Sequence, residues 1–267
     1  MRRLRDEKLG RLKKILNEGE DLLVAFSGGL DSGFLAKVAT DLLGEKALCV
    51  TLDFEAMPRS ELLQAMEMAK SLSLNHRVVT CSIFDDEDIA KNPPDRCYIC
   101  KRSDAKFFKK IAAEEGISRI ADGVNLSDYD DYRPGIRATD EEGIIHPLAE
   151  AGITKFEIRA MAEEMDLPFW DKPPMACLAS RIPYGEAITH EKLRMAELAE
   201  EHLRGEGVRA VRVRVHGKVA RIEVLEADLV RILGMREEIV KELKKIGFLY
   251  VSLDLEGYRM GSMNEAL

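Results

Sequence analysis

The stretch Asp21-Leu22-Leu23-Val24-Ala25-Phe26-Ser27-Gly28-Gly29-Leu30-Asp31-Ser32 decides the fold. Residues 21–26 form a short apolar run, the pattern of a strand buried in a parallel sheet. Two glycines follow, which take backbone torsions other residues resist. Residues 32–43 then carry a helix pattern ended by Gly44. In such a strand–turn–helix, successive N–H groups wrap an anion at the positive end of the helix. Ser27 and Ser32 add hydroxyl donors. Asp31 would repel a bare phosphate, and it makes sense where Mg²⁺ bridges it to a nucleotide. The turn lacks the Gly-Lys-Ser/Thr ending of a Walker loop.

Working outward, strands are predicted at 47–54, 76–84 and 118–124. Helices are predicted at 60–72, 103–115 and 154–165. Ser60 is placed to cap the first of these, with Leu62, Leu63, Met66 and Ala69 on one face. Strands alternating with helices of this length imply an α/β fold, a parallel sheet covered on both faces. Ligands bind such sheets at the carboxyl ends of the strands. Three polar segments interrupt the pattern, at 85–101, 125–147 and 171–185, and long loops in a compact domain tend to be functional. Beyond residue 187 the pattern changes to a helix at 189–204, alternating strands at 208–215 and 218–225 across His216–Gly217, a helix at 228–246 and a strand at 248–255. The expected organisation is a nucleotide-binding domain over 1–186 and a small α+β domain over 187–267.

The 267 residues carry a net charge of −8. That balance argues against a protein that coats nucleic acid, which needs a basic excess. There is no run of about 18 apolar residues for a membrane helix, and the N-terminus reads as an amphipathic helix without the marks of a secretory signal. The expected location is the cytoplasm, with no membrane or nucleic-acid partner. Five cysteines, an odd number, do not suggest a disulfide framework. Cys49 and Cys81 fall within strands and are expected in the core. Cys97-Tyr98-Ile99-Cys100 is a C-x-x-C, open to three readings: a redox pair, half a zinc site or half an iron–sulfur site. With Cys177, the remaining loop cysteine, three thiolates fit a [4Fe–4S] cluster with one iron open. The alternative is three unrelated cysteines near an ATP site. Lys101 and Arg181 flank these cysteines, where a cation can hold phosphate and depress a thiol pKa.

The Ser27–Ser32 motif resembles the PP-loop of the ATP pyrophosphatases, which cut ATP between its α- and β-phosphates to adenylylate a substrate. Four further segments extend the likeness: RCYICKR (96–102), ADGVNLSDYDDYRPG (121–135), MACLASRIPYG (175–185) and LDLEGYRMGSMNEAL (253–267). Together they resemble the LarE family of ATP-dependent sulfur transferases over essentially the whole chain. The resemblance implies adenylylation of a pyridinium mononucleotide carboxylate, then sulfur transfer. It implies too that the product serves the nickel-pincer cofactor of lactate racemase. It implies ATP held by Ala25, Phe26, Ser27, Gly28, Gly29, Asp31 and Ser32, with Gly123 and Asn125 at a strand end facing the nucleotide, and Mg²⁺ at Asp31. Cys177 matches the family's sulfur-donor cysteine. Cys97 and Cys100 are similar to the subset in which a [4Fe–4S] cluster joins them to Cys177 and an extra sulfide, of unidentified source, is the donor. Substrate or phosphate contacts are expected from Lys101, Asp128, Arg181, Arg212, Arg214, Glu223 and Arg259. The resemblance also implies a homo-hexamer. Arg212 and Arg214 share one face of an alternating strand, which reads equally as a wet face or as a subunit or phosphate contact.

Three rival functions are a cluster-bearing PP-loop tRNA thiolase, an ammonia-using synthetase and a non-catalytic nucleotide- or metal-binding module. The net charge and the lack of a basic, aromatic RNA-binding module oppose the first. The loop cysteines oppose the second. The intact Ser27, Asp31 and Ser32 oppose the third.

Overall fold

The computed structural model describes every residue except Met1, Asp131, Tyr132, Pro174, Met175, Met260 and Leu267, and the backbone alone of Arg2, Asn264 and Ala266. Parts of the expected motifs at 121–135, 175–185 and 253–267 therefore lie outside the described residues. The chain forms two compact units, residues 1–81 with 97–175 and residues 82–96 with 176–267.

In the first unit the order is α1 (Arg2–Leu16), β1 (Leu22–Ala25), α2 (Leu30–Leu43), β2 (Ala47–Asp53), α3 (Arg59–Ser71) and β3 (Asn75–Thr80). A short helix α4 (Glu87–Ala90) belongs to the second unit. Next come α5 (Arg96–Glu115), β4 (Ile120–Ala121), α6 (Pro134–Glu141), α7 (Pro147–Glu150) and α8 (Lys155–Glu164). The sheet order is β3-β2-β1-β4, all parallel. Side chains alternate across β1 as strand geometry requires. Leu22 and Val24 join a core with Phe34, Leu35 and Val38 of α2, and Leu23 joins one on the other face with Val50, Phe108 and Ile111. Both faces are covered, so the apolar run in β1 is continuous. Cys49 lies fully in this core, and burial pushes its thiol pKa up to about 12. Cys81 is partly buried against the second cluster.

Several expectations need correction. Ser60 is not a cap: α3 starts at Arg59 behind Pro58, and no side chain caps it. Its buried face is Leu62, Ala65, Met68 and Ala69, while Leu63 and Met66 are exposed. Helix α5 begins at Arg96 rather than 103, so the C-x-x-C lies in its first turn and not in a loop. By contrast α8 starts as expected. Thr154 Oγ1 accepts the Glu157 N–H and Glu157 Oε2 accepts the Thr154 N–H, a reciprocal cap.

The second unit holds α9 (His190–Gly205), β5 (Val211–His216), β6 (Val219–Val224), α10 (Glu226–Gly234), α11 (Arg236–Ile246) and β7 (Tyr250–Leu253). β5 and β6 are antiparallel and β6 and β7 parallel, a mixed sheet. Gly217, at a φ of 58°, makes the tight hairpin turn possible. The helix expected at 228–246 is broken at Met235. Of the two readings of the Arg212–Arg214 face of β5, the wet face is corrected: both arginines are buried, as are Val211, Val213 and Val215 opposite them.

Candidate nucleotide site

The phosphate turn leaves β1 at its carboxyl end. Phe26 is buried, donates its N–H to Val50 O (2.8 Å) and accepts Thr51 Oγ1–H on its carbonyl (2.7 Å), so the start of the turn is fixed by β2. Ser27 and Ser32 close the turn: their hydroxyls are 3.0 Å apart and the Ser27 N–H donates to Ser32 Oγ at 3.2 Å. Gly28 sits at a φ of 71°, and a Cβ there would meet Ala65 Cβ at 2.5 Å. Glycine is thus required twice over, by torsion and by the close approach of α3. Gly29 is the N-cap of α2, and no side chain caps that helix. Its first N–H groups therefore face the turn, the arrangement that binds anions. Gly123 follows β4 and lies over the same helix end; a Cβ on it would stand 2.7 Å from the Ser32 amide nitrogen.

Lys155, Asp128 and Arg133 act on Asp31 of this turn. Lys155, the first residue of α8, puts Nζ 2.6 Å from Asp31 Oδ2. Asp31 Oδ1 is buried with no hydrogen-bond partner among the described residues. Burial raises the Asp31 pKa, and Lys155 offsets only part of that. A carboxylate with one buried, unsatisfied oxygen fits a hard cation, the donor type Mg²⁺ takes. Asp128 accepts from the Asn125 N–H (3.0 Å) and Nδ2 (2.8 Å) on Oδ2, and pairs with Arg133 through Oδ1 at 2.7 Å. Asn125 and Asp128 are thus buried together, one locked to the other. His146 is buried between two carboxylates, Nδ1 2.6 Å from Asp122 and Nε2 3.1 Å from Asp140. Burial opposes its charge, but the two carboxylates prevail and raise its pKa. Lys101 pairs with Asp104 at 3.1 Å. In the same helix turn Cys97 is exposed and Cys100 partly buried. At i and i+3 they share one helix face.

In the second unit Cys177 opens a 3₁₀ turn at Leu178–Arg181, with an exposed side chain. Arg181 has no exposed surface. It grips Glu200 at 2.7 and 3.0 Å and donates to the carbonyls of Ala176 (3.1 Å) and Cys177 (3.3 Å), so it holds the backbone of that turn. Arg214 donates to Glu223 (2.6 Å), Ser180 O (2.9 Å) and Ser262 Oγ (3.0 Å). Arg212 lies over the Tyr258 ring at 5.2 Å. Arg259 is paired with Glu256 at 2.9 Å and Glu265 at 3.2 Å. Among the described residues no group of three or more His, Cys, Asp or Glu side chains is assembled to hold a metal ion.

The loop residues, Gly123, Asn125 and Asp128 all lie in the first unit, and Arg181, Arg212, Arg214, Glu223 and Arg259 in the second. Lys155, Arg133 and His146 escaped the sequence reading. Only Lys155 carried a local signal, a cation in the first turn of a helix, where the helix field disfavours it.

The family model described as asparagine synthase matches residues 12–107, which contain the phosphate turn. A protein of Lactiplantibacillus plantarum named pyridinium-3,5-bisthiocarboxylic acid mononucleotide synthase is 37% identical over 97% of this chain and 95% of its own length. An uncharacterized protein of Synechocystis is 40% identical over 98% of each chain. A glutamine-hydrolyzing GMP synthase of Phaeosphaeria nodorum is 27% identical over 73% of this chain and 42% of its own. By the extent of the likeness to the L. plantarum synthase, and with an ATP-type phosphate turn in place, the chain belongs to the LarE family of PP-loop, ATP-dependent sulfur transferases.

Proposed function

We propose that the chain adenylylates a carboxylate of pyridinium-3,5-biscarboxylic acid mononucleotide and converts it to a thiocarboxylate for a nickel-pincer cofactor such as that of lactate racemase. The observation that carries this reading is the near full-length likeness to the L. plantarum synthase. In the first step a carboxylate oxygen attacks the α-phosphorus of ATP, the bond to the bridging oxygen breaks, and pyrophosphate leaves. The N–H groups of the 27–32 turn and the ammonium of Lys155 bind and orient phosphate. Asp31 would hold Mg²⁺, which shields phosphate charge from the incoming carboxylate. In the second step a sulfur nucleophile attacks the acyl carbon, the carbon–oxygen bond to AMP breaks, and the thiocarboxylate remains. A carboxylate is a poor electrophile and AMP makes it a good one.

Cys177 belongs at the sulfur-transfer site in this reading. Lys101, Asp128, Arg181, Arg212, Arg214, Glu223 and Arg259 serve the substrate or position what does. Cys97, Cys100 and Cys177 would hold a [4Fe–4S] cluster. Thiolates are its usual ligands, and a three-cysteine site leaves one iron open to sulfide. The C-x-x-C on one helix face supports the first two ligands. A cytoplasmic homo-oligomer belongs to the same proposal.

The test is anaerobic purification followed by iron and acid-labile sulfide assays and intact mass after turnover. Cys97→Ser, Cys100→Ser and Cys177→Ser should each lower iron and stop sulfur transfer while pyrophosphate release survives. Conversion of Cys177 to dehydroalanine as the main product would overturn the cluster reading.

A further inference from the structure

The Lys172 ammonium is mostly buried and has two described partners, Gly28 O at 3.0 Å and Glu61 Oε2 at 2.9 Å. A buried ammonium must be satisfied, so its position is tightly determined. Its backbone is equally fixed. Arg159 donates to the carbonyls of Trp170 (3.0 Å) and Lys172 (3.3 Å), and Phe169 lies against Gly33 of α2, where a Cβ would meet its ring at 3.0 Å. Glu61 and Ala65 are one turn apart on α3, so the same helix face supplies the methyl behind Gly28 and the carboxylate that anchors the lysine.

This places a cation behind the phosphate turn, on a backbone carbonyl inside the turn itself. The Gly28–Gly29 peptide is planar and trans, so its C=O and N–H point to opposite sides. With the carbonyl tied back to Lys172, the Gly29 N–H points forward. On that side it donates a long hydrogen bond to Ser27 Oγ (3.4 Å), the hydroxyl that also meets Ser32 at 3.0 Å. Gly28 is a glycine at positive φ, so without a tether this peptide could turn over. We propose that Lys172, anchored by Glu61, is a positioning residue: it orients the Gly29 N–H toward the nucleotide's phosphates. The inference rests on the reading of the 27–32 turn as the phosphate site and needs nothing of the sulfur chemistry.

The test is calorimetric binding to the full chain, with Mg²⁺, of an ATP analogue carrying a methylene between its α- and β-phosphates, and of phosphate-free adenosine. Lys172→Met should weaken the analogue by about tenfold or more, the scale of a lost charge-assisted hydrogen bond. Adenosine should stay within about twofold, since it has no phosphate to meet the Gly29 N–H. Lys172→Arg should recover most of the analogue's affinity. Three results contradict the proposal: unchanged analogue binding in Lys172→Met, equal loss of analogue and adenosine, or Lys172→Arg as weak as Lys172→Met. If Lys172→Met does not fold, Lys172→Gln must still weaken the analogue by about threefold, and unchanged binding there contradicts the proposal as well. Failure of the wild-type chain to bind the analogue would instead overturn the phosphate-site reading itself.

Discussion

Lys155 Nζ stands 2.6 Å from Asp31 Oδ2, and Asp31 Oδ1 is buried with no hydrogen-bond partner among the described residues. One carboxylate thus faces a lysine with one oxygen and leaves the other for a cation. Asp31→Ala should reduce pyrophosphate release by about a hundredfold or more, the scale of a lost electrostatic contact to reacting phosphate. Circular dichroism should show the fold intact. Near-normal pyrophosphate release would remove Asp31 from the site.

Gly123 tests the closeness of β4 to the helix end. Gly123→Ala would place a methyl 2.7 Å from the Ser32 nitrogen. Overpacking of this kind costs about 1–3 kcal/mol. Both the melting temperature and ATP affinity should fall, because the methyl pushes on the turn's N–H groups. Normal ATP affinity in this variant would show that the β4 end does not line the nucleotide.

Arg181 and Glu200, both without exposed surface, make the buried ion pair that supports the Cys177 turn. Glu200→Gln leaves the guanidinium without its charge partner, which typically costs about 3–5 kcal/mol. Urea unfolding measures this, and a loss below about 1 kcal/mol would mean the pair is not holding the unit together.

His146 gives stability a pH dependence of definite sign. Its folded pKa is raised above the ordinary value of about 6.5, because Asp122 and Asp140 outweigh burial. A raised pKa means the folded state binds the proton more tightly, so the contribution is full below about pH 6.5 and disappears as pH climbs through the folded value. The wild-type advantage in melting temperature over His146→Gln should therefore be largest at about pH 6 and shrink toward about pH 9. A difference that grows with pH would mean the histidine is held neutral.

The β1–turn–α2 unit was legible because its signals are local: an apolar run, two glycines and a helix pattern within a few residues. The start of α5 was not, because Pro93 and Pro94 read as a loop. In the structure Pro93 O accepts the Arg96 N–H as the helix begins, and prolines are compatible with a helix start. Arg212 and Arg214 were assigned the right face of β5, but alternation cannot tell a solvated face from one covered by later segments such as Ser262. The site's other charges were hidden by distance along the chain. Asp31 meets Lys155 across 124 positions and Gly28 meets Lys172 across 144, and no window of sequence spans either pair.

The most direct measurement of the central claim is mass spectrometry of the small-molecule product after incubation of anaerobically purified protein with ATP, Mg²⁺, sulfide and pyridinium-3,5-biscarboxylic acid mononucleotide. The account predicts a product in which sulfur has replaced a carboxylate oxygen, formed with pyrophosphate and AMP and absent with Asp31→Ala. Pyrophosphate release that does not depend on the pyridinium compound, with no sulfur in the recovered nucleotide, would contradict it.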